Sequence, residues 1–263
     1  MIIVILAAGK GSRLKSTLPK SFPYITKSII KINNQPAIMR LIKQFSEIGC
    51  NNIILVLGHK YQSVLKVIND DKQEFVLNKY YKNDSNLRSL FLALKRIINT
   101  KIFELNNGLL VVEADSFFSN KHLKNFIDYI YKLNNHDNSF NKICWTTKGY
   151  AKIDDSGGFI EPLETNNPKN NGQVKNVYIN RSPKNQKTMK MFGITWFNNS
   201  STMHWYEKAK LFLINKDPKD LTGYFHEILF EDLKSYSMSY YDLGPQALSF
   251  NDYSEYIKCI NLK

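Results

Sequence analysis

Through residue 133 the chain alternates short apolar, β-branched runs with segments of helical period, and no other feature restricts the possible folds as much. Ile2–Leu6, Asn52–Leu57, Glu74–Leu77 and Leu109–Glu113 read as strands, and Pro36–Ile48, Tyr61–Ile68, Asn86–Ile98 and Lys121–Leu133 as helices. A strand that is apolar on both faces has no side for water, so it belongs inside a sheet covered by helices above and below. Helices between such strands supply crossovers, which makes the sheet largely parallel and puts ligands at the carboxyl ends of its strands.

The alternation stops near Lys142. Lys142–Thr146 and Tyr150–Ile153 read as strands, with a turn at Asp154–Gly158. Asn166–Asn185, rich in Asn, Lys and Pro, reads as a polar excursion. Met189–Phe197 resumes as a strand, followed by helices at Ser201–Leu213, Thr222–Lys234 and Tyr253–Ile260. No internal repeat is visible. The expectation is one α/β domain, with residues 1–135 as a ligand-binding half and residues 136–263 as an elaboration that completes it.

Composition removes several classes. Of the 263 residues 43% are hydrophobic, enough for a full core, and no apolar run approaches the roughly 20 residues of a bilayer span. Met1–Ala8 lacks the basic flank of a signal peptide. Cys50, Cys144 and Cys259 are far apart and form no CxxC pair, which fits a reducing, cytoplasmic setting and argues against a zinc site. The formal charge of +13 favours anionic partners. The lysines are spread along the chain and no zinc-finger, RNP-type or basic heptad element is present, so nucleic acid is not an expected partner.

Leu6-Ala-Ala-Gly-Lys-Gly-Ser-Arg-Leu14 follows directly on the first strand. Gly9 and Gly11 let successive backbone N–H groups line one concavity, a nest suited to phosphate oxygens, with Arg13 as a permanently charged planar donor. A third glycine at position 14 is missing and no GxxxxGK[ST] occurs, so neither the dinucleotide fingerprint nor a P-loop is present. On these residues alone a simple turn fits as well.

The segment Lys27-Ser-Ile-Ile-Lys-Ile-Asn-Asn-Gln-Pro36 follows. With Leu6–Leu14 it resembles the nucleotidyltransferase superfamily pattern LAAGxGxRL, then PKxLLxINGxP. Sugar-1-phosphate nucleotidylyltransferases, N-acetylglucosamine-1-phosphate uridylyltransferases and phosphocholine cytidylyltransferases share that pattern. Thr26 stands where the pattern has proline, and Pro19-Lys20 is a competing PK pair, so Lys27 and Lys20 are both candidates for the active-site lysine. The resemblance implies a Rossmann-like, three-layer α/β/α sandwich of the GT-A-like kind with a predominantly parallel mixed sheet. It also implies transfer of a nucleotidyl group, CMP from CTP foremost, to a phosphate or phosphonate monoester such as phosphocholine. Sugar 1-phosphates are the alternative acceptors, and a silent nucleotide-binding regulatory protein is a reading of another class. A homodimer is a candidate assembly, and no membrane partner is expected.

By the same resemblance Leu6, Ala7, Ala8, Gly9, Gly11 and Ser12 hold the nucleotide, and Ser85, Asn86 and Ser89 line the base pocket. Asp115, at the end of a strand, holds Mg²⁺ together with Asn251 or, one position off, Asp252. A helix-capping aspartate is the plain alternative for Asp115, and Ser and Asn at a helix start are ordinary caps. Gly193 lies on the strand facing the acceptor, and Trp145, Tyr224 and Glu227, with Trp205, are candidates for an aromatic and acidic acceptor pocket. His59, His122, His136, His204 and His226 show no metal spacing and are expected to have no catalytic role.

Overall fold

A computed structural model describes residues 1–68, 73–83, 86–100, 107–135, 141–163, 170–180, 182–185, 187–214 and 223–261. Nine strands form one sheet: β1 (Ile2–Ala7), β2 (Ile53–Leu57), β3 (Glu74–Leu77), β4 (Leu109–Glu113), β5 (Asn141–Tyr150), β6 (Gly157–Pro162), β7 (Asn171–Asn180), β8 (Met189–Phe197) and β9 (Tyr236–Asp242). Their order is β3-β2-β1-β4-β8-β5-β9-β7-β6, and β6 also pairs with β8. The first four strands run parallel, and β9 lies parallel to β5. The remaining pairs, β8 with β4 among them, are antiparallel.

The helices are α1 (Ser12–Thr17), α2 (Ala37–Glu47), α3 (Tyr61–Ile68), α4 (Leu87–Thr100), α5 (Asn120–Asn135), α6 (Asn199–Ile214) and α7 (Tyr253–Asn261). Ile2, Val4 and Leu6 of β1 pack with α4 and α6, whereas Ile3, Ile5 and Ala7 pack with α2, α3 and α5. Successive side chains of one strand thus serve two cores, which is why β1 is apolar at every position. A third cluster, Leu14, Ile30, Ile32, Phe117, Phe250, Tyr256 and Cys259 among its members, joins α1 to α7 at the carboxyl end of the sheet. Among the described residues no helix is long and apolar enough to cross a membrane.

The expected elements through residue 133 are present with boundaries moved by two residues at most. The later half departs more. The expected strands Lys142–Thr146 and Tyr150–Ile153 are one strand, β5, that ends at Tyr150. It runs on through Gly149, at φ +91, because the Asp242 carboxylate accepts from Gly149 N (2.8 Å) and Thr147 Oγ1 (2.9 Å). The polar stretch Asn166–Asn185 contains β7, a strand whose Val174, Val177 and Tyr178 are buried while Gln173 and Lys175 are exposed. The expected helix Thr222–Lys234 is a 3₁₀ segment, Glu227–Ser235, kinked at Asp232; Thr222 lies outside the described residues. Beyond Lys27 a 3₁₀ turn, Lys27–Ile29, leads to a two-strand ribbon, Lys31–Ile32 with Gln35–Pro36. Asn33 and Asn34 both take positive φ there, as a type I′ hairpin turn requires.

Candidate active site

At Ala8 the chain leaves β1 and bends through Gly9–Gly11 into α1. Gly11 sits at φ +63, and a Cβ there would stand 2.4 Å from Tyr24 Oη and 2.8 Å from Lys27 Cβ, so only glycine fits. Burial pushes the Tyr24 hydroxyl up to about 12, and it donates to Lys10 O (3.1 Å), bracing the bend from behind. Leu14, fully buried, pins α1 into the third cluster. The open side of the bend faces a cavity of about 470 Å³, whose wall includes residues 6–14, Lys27, Asn86, Ser89, Glu113, Asp115 and Asn251.

Four side chains from distant parts of the chain meet at the mouth of this cavity. Lys27 Nζ donates to Asp115 Oδ2 (2.5 Å) and to Asn251 Oδ1 (2.9 Å), and Arg13 donates to the same Asn251 oxygen (3.0 Å). Asn251 is oriented by its own N–H, which donates to Glu255 Oε2 (2.6 Å). Asp252 is used differently: its Oδ1 accepts from Glu255 N and Ser254 Oγ, capping α7, and these bonds hold its carboxyl below the usual range. Lys20 is exposed in the turn after α1 and lines neither of the two cavities described here.

An Mg²⁺ ion fits this arrangement chemically. A carboxylate oxygen and an amide oxygen, both hard donors, already converge on one cationic group, the Lys27 ammonium. Among the described residues no three His, Cys, Asp or Glu side chains gather as a metal site. The other ligands of an ion held by Asp115 and Asn251 would therefore be water and substrate phosphate, as Mg²⁺ commonly takes.

Glu113 belongs to the site although sequence reasoning missed it. It closes β4 two residues before Asp115 and lies against Gly193 of β8, where an added Cβ would meet Glu113 Oε2 at 3.2 Å and Ser116 Oγ at 2.5 Å. Burial, and then the Asp115 carboxylate, push its carboxyl up to about 7, opposed by Lys27 and Lys190. Asn86, at φ +129, donates to Glu113 Oε1 (3.1 Å) and accepts from Phe225 N (2.8 Å), so its amide ties the sheet to the segment at 224–226. Ser89 is buried and accepts from Asn78 Nδ2 (3.0 Å). Ser85 lies outside the described residues, as does His136.

A second cavity of about 900 Å³ opens on the other side of Glu113 and Arg13. Its wall includes Lys148, Lys190, Gly193, Tyr224 and His226. Tyr224, 39% exposed, borders both cavities. Trp145 departs from expectation: it lies on β5, wholly buried in the core, and does not line the cavity; its Nε1–H donates to Nδ1 of His226, which does (3.2 Å). Trp205 is likewise fully buried and donates to Phe225 O. Glu227 accepts from Tyr224 N (2.6 Å) and closes that turn instead of facing the cavity. Burial lowers the His226 imidazole to about 3 and Lys190 to about 8, the latter helped by Lys148. Lys190 Nζ donates to Ser156 O (2.8 Å) and Gly158 O (3.3 Å).

Known proteins are similar to this chain in sequence and in fold. A family model described as MobA-like NTP transferase domain matches residues 3–139, more than half of the chain. A choline-phosphate cytidylyltransferase of Streptococcus pneumoniae is 28% identical over 109 residues, 41% of this chain and 46% of that protein. A probable UDP-N-acetylglucosamine pyrophosphorylase of Acanthamoeba polyphaga mimivirus is 24% identical over 233 residues, 86% of each chain. The chain spans less than half the length of the first curated relatives it matches. The solved CTP:phosphocholine cytidylyltransferase of Streptococcus pneumoniae superposes with a TM-score of 0.70 over 98% of this chain and 97% of its own, at 17% identity, a likeness of fold.

Proposed function

We propose, from the premise that this chain belongs to the MobA-like NTP transferase domain family and is a nucleotidyltransferase, that it transfers CMP from CTP to a small phosphate or phosphonate monoester and releases pyrophosphate. The observation that carries this reading is the meeting of Arg13, Lys27, Asp115 and Asn251 at the mouth of the Gly9–Gly11 bend. The preference for CTP and for an acceptor such as phosphocholine rests on the likeness to the choline-phosphate enzyme.

In this reading the backbone amides of the bend hold the triphosphate, and the cavity end near Asn86 and Ser89 takes the base. The acceptor lies in the larger cavity, across Glu113. An anionic oxygen of its phosphate attacks the α-phosphorus in line. A new P–O bond forms as the bond to the β-phosphate oxygen breaks, and that electron pair leaves with pyrophosphate. The nucleophile is already charged, so no general base is needed, and the work is positioning and charge neutralisation. Arg13 faces the departing pyrophosphate, and Lys27 moves from Asp115 to the α-phosphate and acceptor. Asp115 and Asn251 would hold an Mg²⁺ ion, which would supply further neutralisation of phosphate charge.

A second acceptor reading, a sugar 1-phosphate, is favoured by the larger cavity itself. Its wall carries the ammonium groups of Lys148 and Lys190, and the two tryptophans that a quaternary amine would seek are inside the core. A pyrophosphate-release screen of four NTPs with Mg²⁺ tests both. The acceptors are phosphocholine, phosphoethanolamine, aminoethylphosphonate and sugar 1-phosphates. Turnover with CTP and an amine-bearing monoester supports the first reading, and turnover with a sugar 1-phosphate the second. Nucleotide binding without turnover on any acceptor would overturn both in favour of a regulatory protein.

A further inference from the structure

His226 occupies a position that the chemistry above does not use. Its Nδ1 faces Trp145 Nε1 at 3.2 Å, and an indole nitrogen can only donate. Nδ1 must therefore be the accepting nitrogen. Trp145 cannot turn away, because it is wholly buried on β5 between β8 and β9. The segment carrying His226 is held as firmly. Phe225 N donates to Asn86 Oδ1, Leu229 N donates to His226 O (3.0 Å), and the Phe225 ring lies 3.8 Å from the imidazole. Burial keeps the ring neutral, with a pKa near 3, so its single proton sits on Nε2. Nε2 has no hydrogen-bond partner among the described residues, and the ring borders the larger cavity. A neutral donor locked in one tautomer is neither a base nor a cation.

We propose that His226 is a specificity-determining residue of the acceptor site, positioned by Trp145 so that its Nε2–H meets a hydroxyl or carbonyl oxygen on the acceptor beyond the phosphate. Such an oxygen completes the hydrogen bonding of a fixed, half-buried donor, whereas a trimethylammonium group offers nothing to accept it and leaves the donor dry. The inference rests on the larger cavity being the acceptor site and on the second, hydroxylated acceptor reading in place of phosphocholine, but its first test does not depend on turnover.

Long-range ¹H–¹⁵N correlation on the full chain at neutral pH should show His226 with a pyridine-like Nδ1 and a protonated Nε2. The other tautomer, or an imidazolium, would overturn the proposal. Titration with glucose 1-phosphate and glycerol 1-phosphate should shift the Nε2–H resonance, and phosphocholine should leave it in place. No response to either hydroxylated probe, or an equal response to all three, would sink the idea even if the enzyme transfers nucleotides. A blank pyrophosphate screen accompanied by the selective shift would sink the catalytic reading alone. In turnover, the Trp145→Phe/His226→Phe double variant leaves no orphan buried donor and should raise KM for a hydroxylated acceptor at least tenfold with KM for the nucleotide unchanged. His226→Gln, which keeps an accepting oxygen and an N–H, should recover part of that loss. A double variant within twofold of the parent in acceptor KM would refute the assignment.

Discussion

Lys27 and Lys20 differ in surroundings more than in sequence context, and mutation separates them. Lys27 is half-buried and bonded to two groups at the cavity mouth, while Lys20 stands in solvent. Arg13→Ala, Lys27→Ala and Asp115→Ala should each lower pyrophosphate release about a hundredfold or more, the usual cost of one preorganised group, roughly 3 kcal/mol. Lys20→Ala should stay within about twofold, and circular dichroism should show all four folded. Lys190 makes a different prediction. Its folded pKa is about 8, lowered by burial from 10.5, so below pH 8 the folded protein holds a proton that the unfolded chain holds more tightly. Between about pH 8 and 10.5 only the unfolded chain keeps it, so this group's contribution to stability rises with pH. Urea titrations of the parent and Lys190→Met should therefore differ most in the variant's favour at pH 7, by at most about 3 kcal/mol, and converge toward pH 10. Arg13 and Asp115 were readable in the sequence because one follows a glycine bend and the other a strand, where geometry directs a side chain toward the crevice, whereas Asn251 was marked by the family resemblance alone. Glu113 and His226 were not. Their environment depends on Gly193 and Trp145, which lie far away in the chain and reach them only through pairing in the sheet.

At the level of elements, α1 was missed and the bend before it was seen. Ser12–Thr17 has six residues and one buried side chain, too few for helical period to register, and its stability comes from the third cluster. The bend is legible because glycine has a physical meaning that survives without context. Gly11→Ala tests how much the element depends on it. A methyl at φ +63, 2.4 Å from Tyr24 Oη and 2.8 Å from Lys27 Cβ, forces both the backbone and Lys27 to shift. The expected loss is about 1–3 kcal/mol of stability. Turnover should fall as in Lys27→Ala, and Gly11→Ala/Tyr24→Phe should recover stability only in part. The first half of the sheet was legible because β1 and β2 are apolar throughout and β4 is apolar up to Glu113. β7 and β9 were not, since Gly172, Gln173 and the Ser-Met-Ser-Tyr-Tyr of β9 take their strand conformation from neighbours. A polar strand in an antiparallel flank looks like a loop until its partners are known.

Across the whole molecule, Arg13 and Asn251 stand 238 positions apart and touch, because α1 and α7 close on one cluster beneath the cavity mouth. The parallel half of the sheet carries the bend and Asp115, the antiparallel half carries Gly193 and Lys190, and Glu113 stands at the seam. Charge is distributed on the same plan. The chain carries +13, and among the described residues Lys10, Arg13, Lys27 and Lys82 border the smaller cavity against Glu113 and Asp115. An excess of one sign around a cleft concentrates ligands of the other sign, and dissolved salt screens the effect over about 10 Å at 0.1 M. Two anionic substrates converging on such a cleft should bind more slowly as salt is added. The ratio kcat/KM for the nucleotide should fall by about tenfold between 50 and 500 mM potassium chloride, within the range of electrostatic steering. kcat should change far less, since the bound phosphates and their partners are shielded from bulk ions. A flat kcat/KM would mean that the surplus lysines act on the solvent-facing surface alone and that the four groups at the cavity mouth draw the nucleotide in by short-range contact.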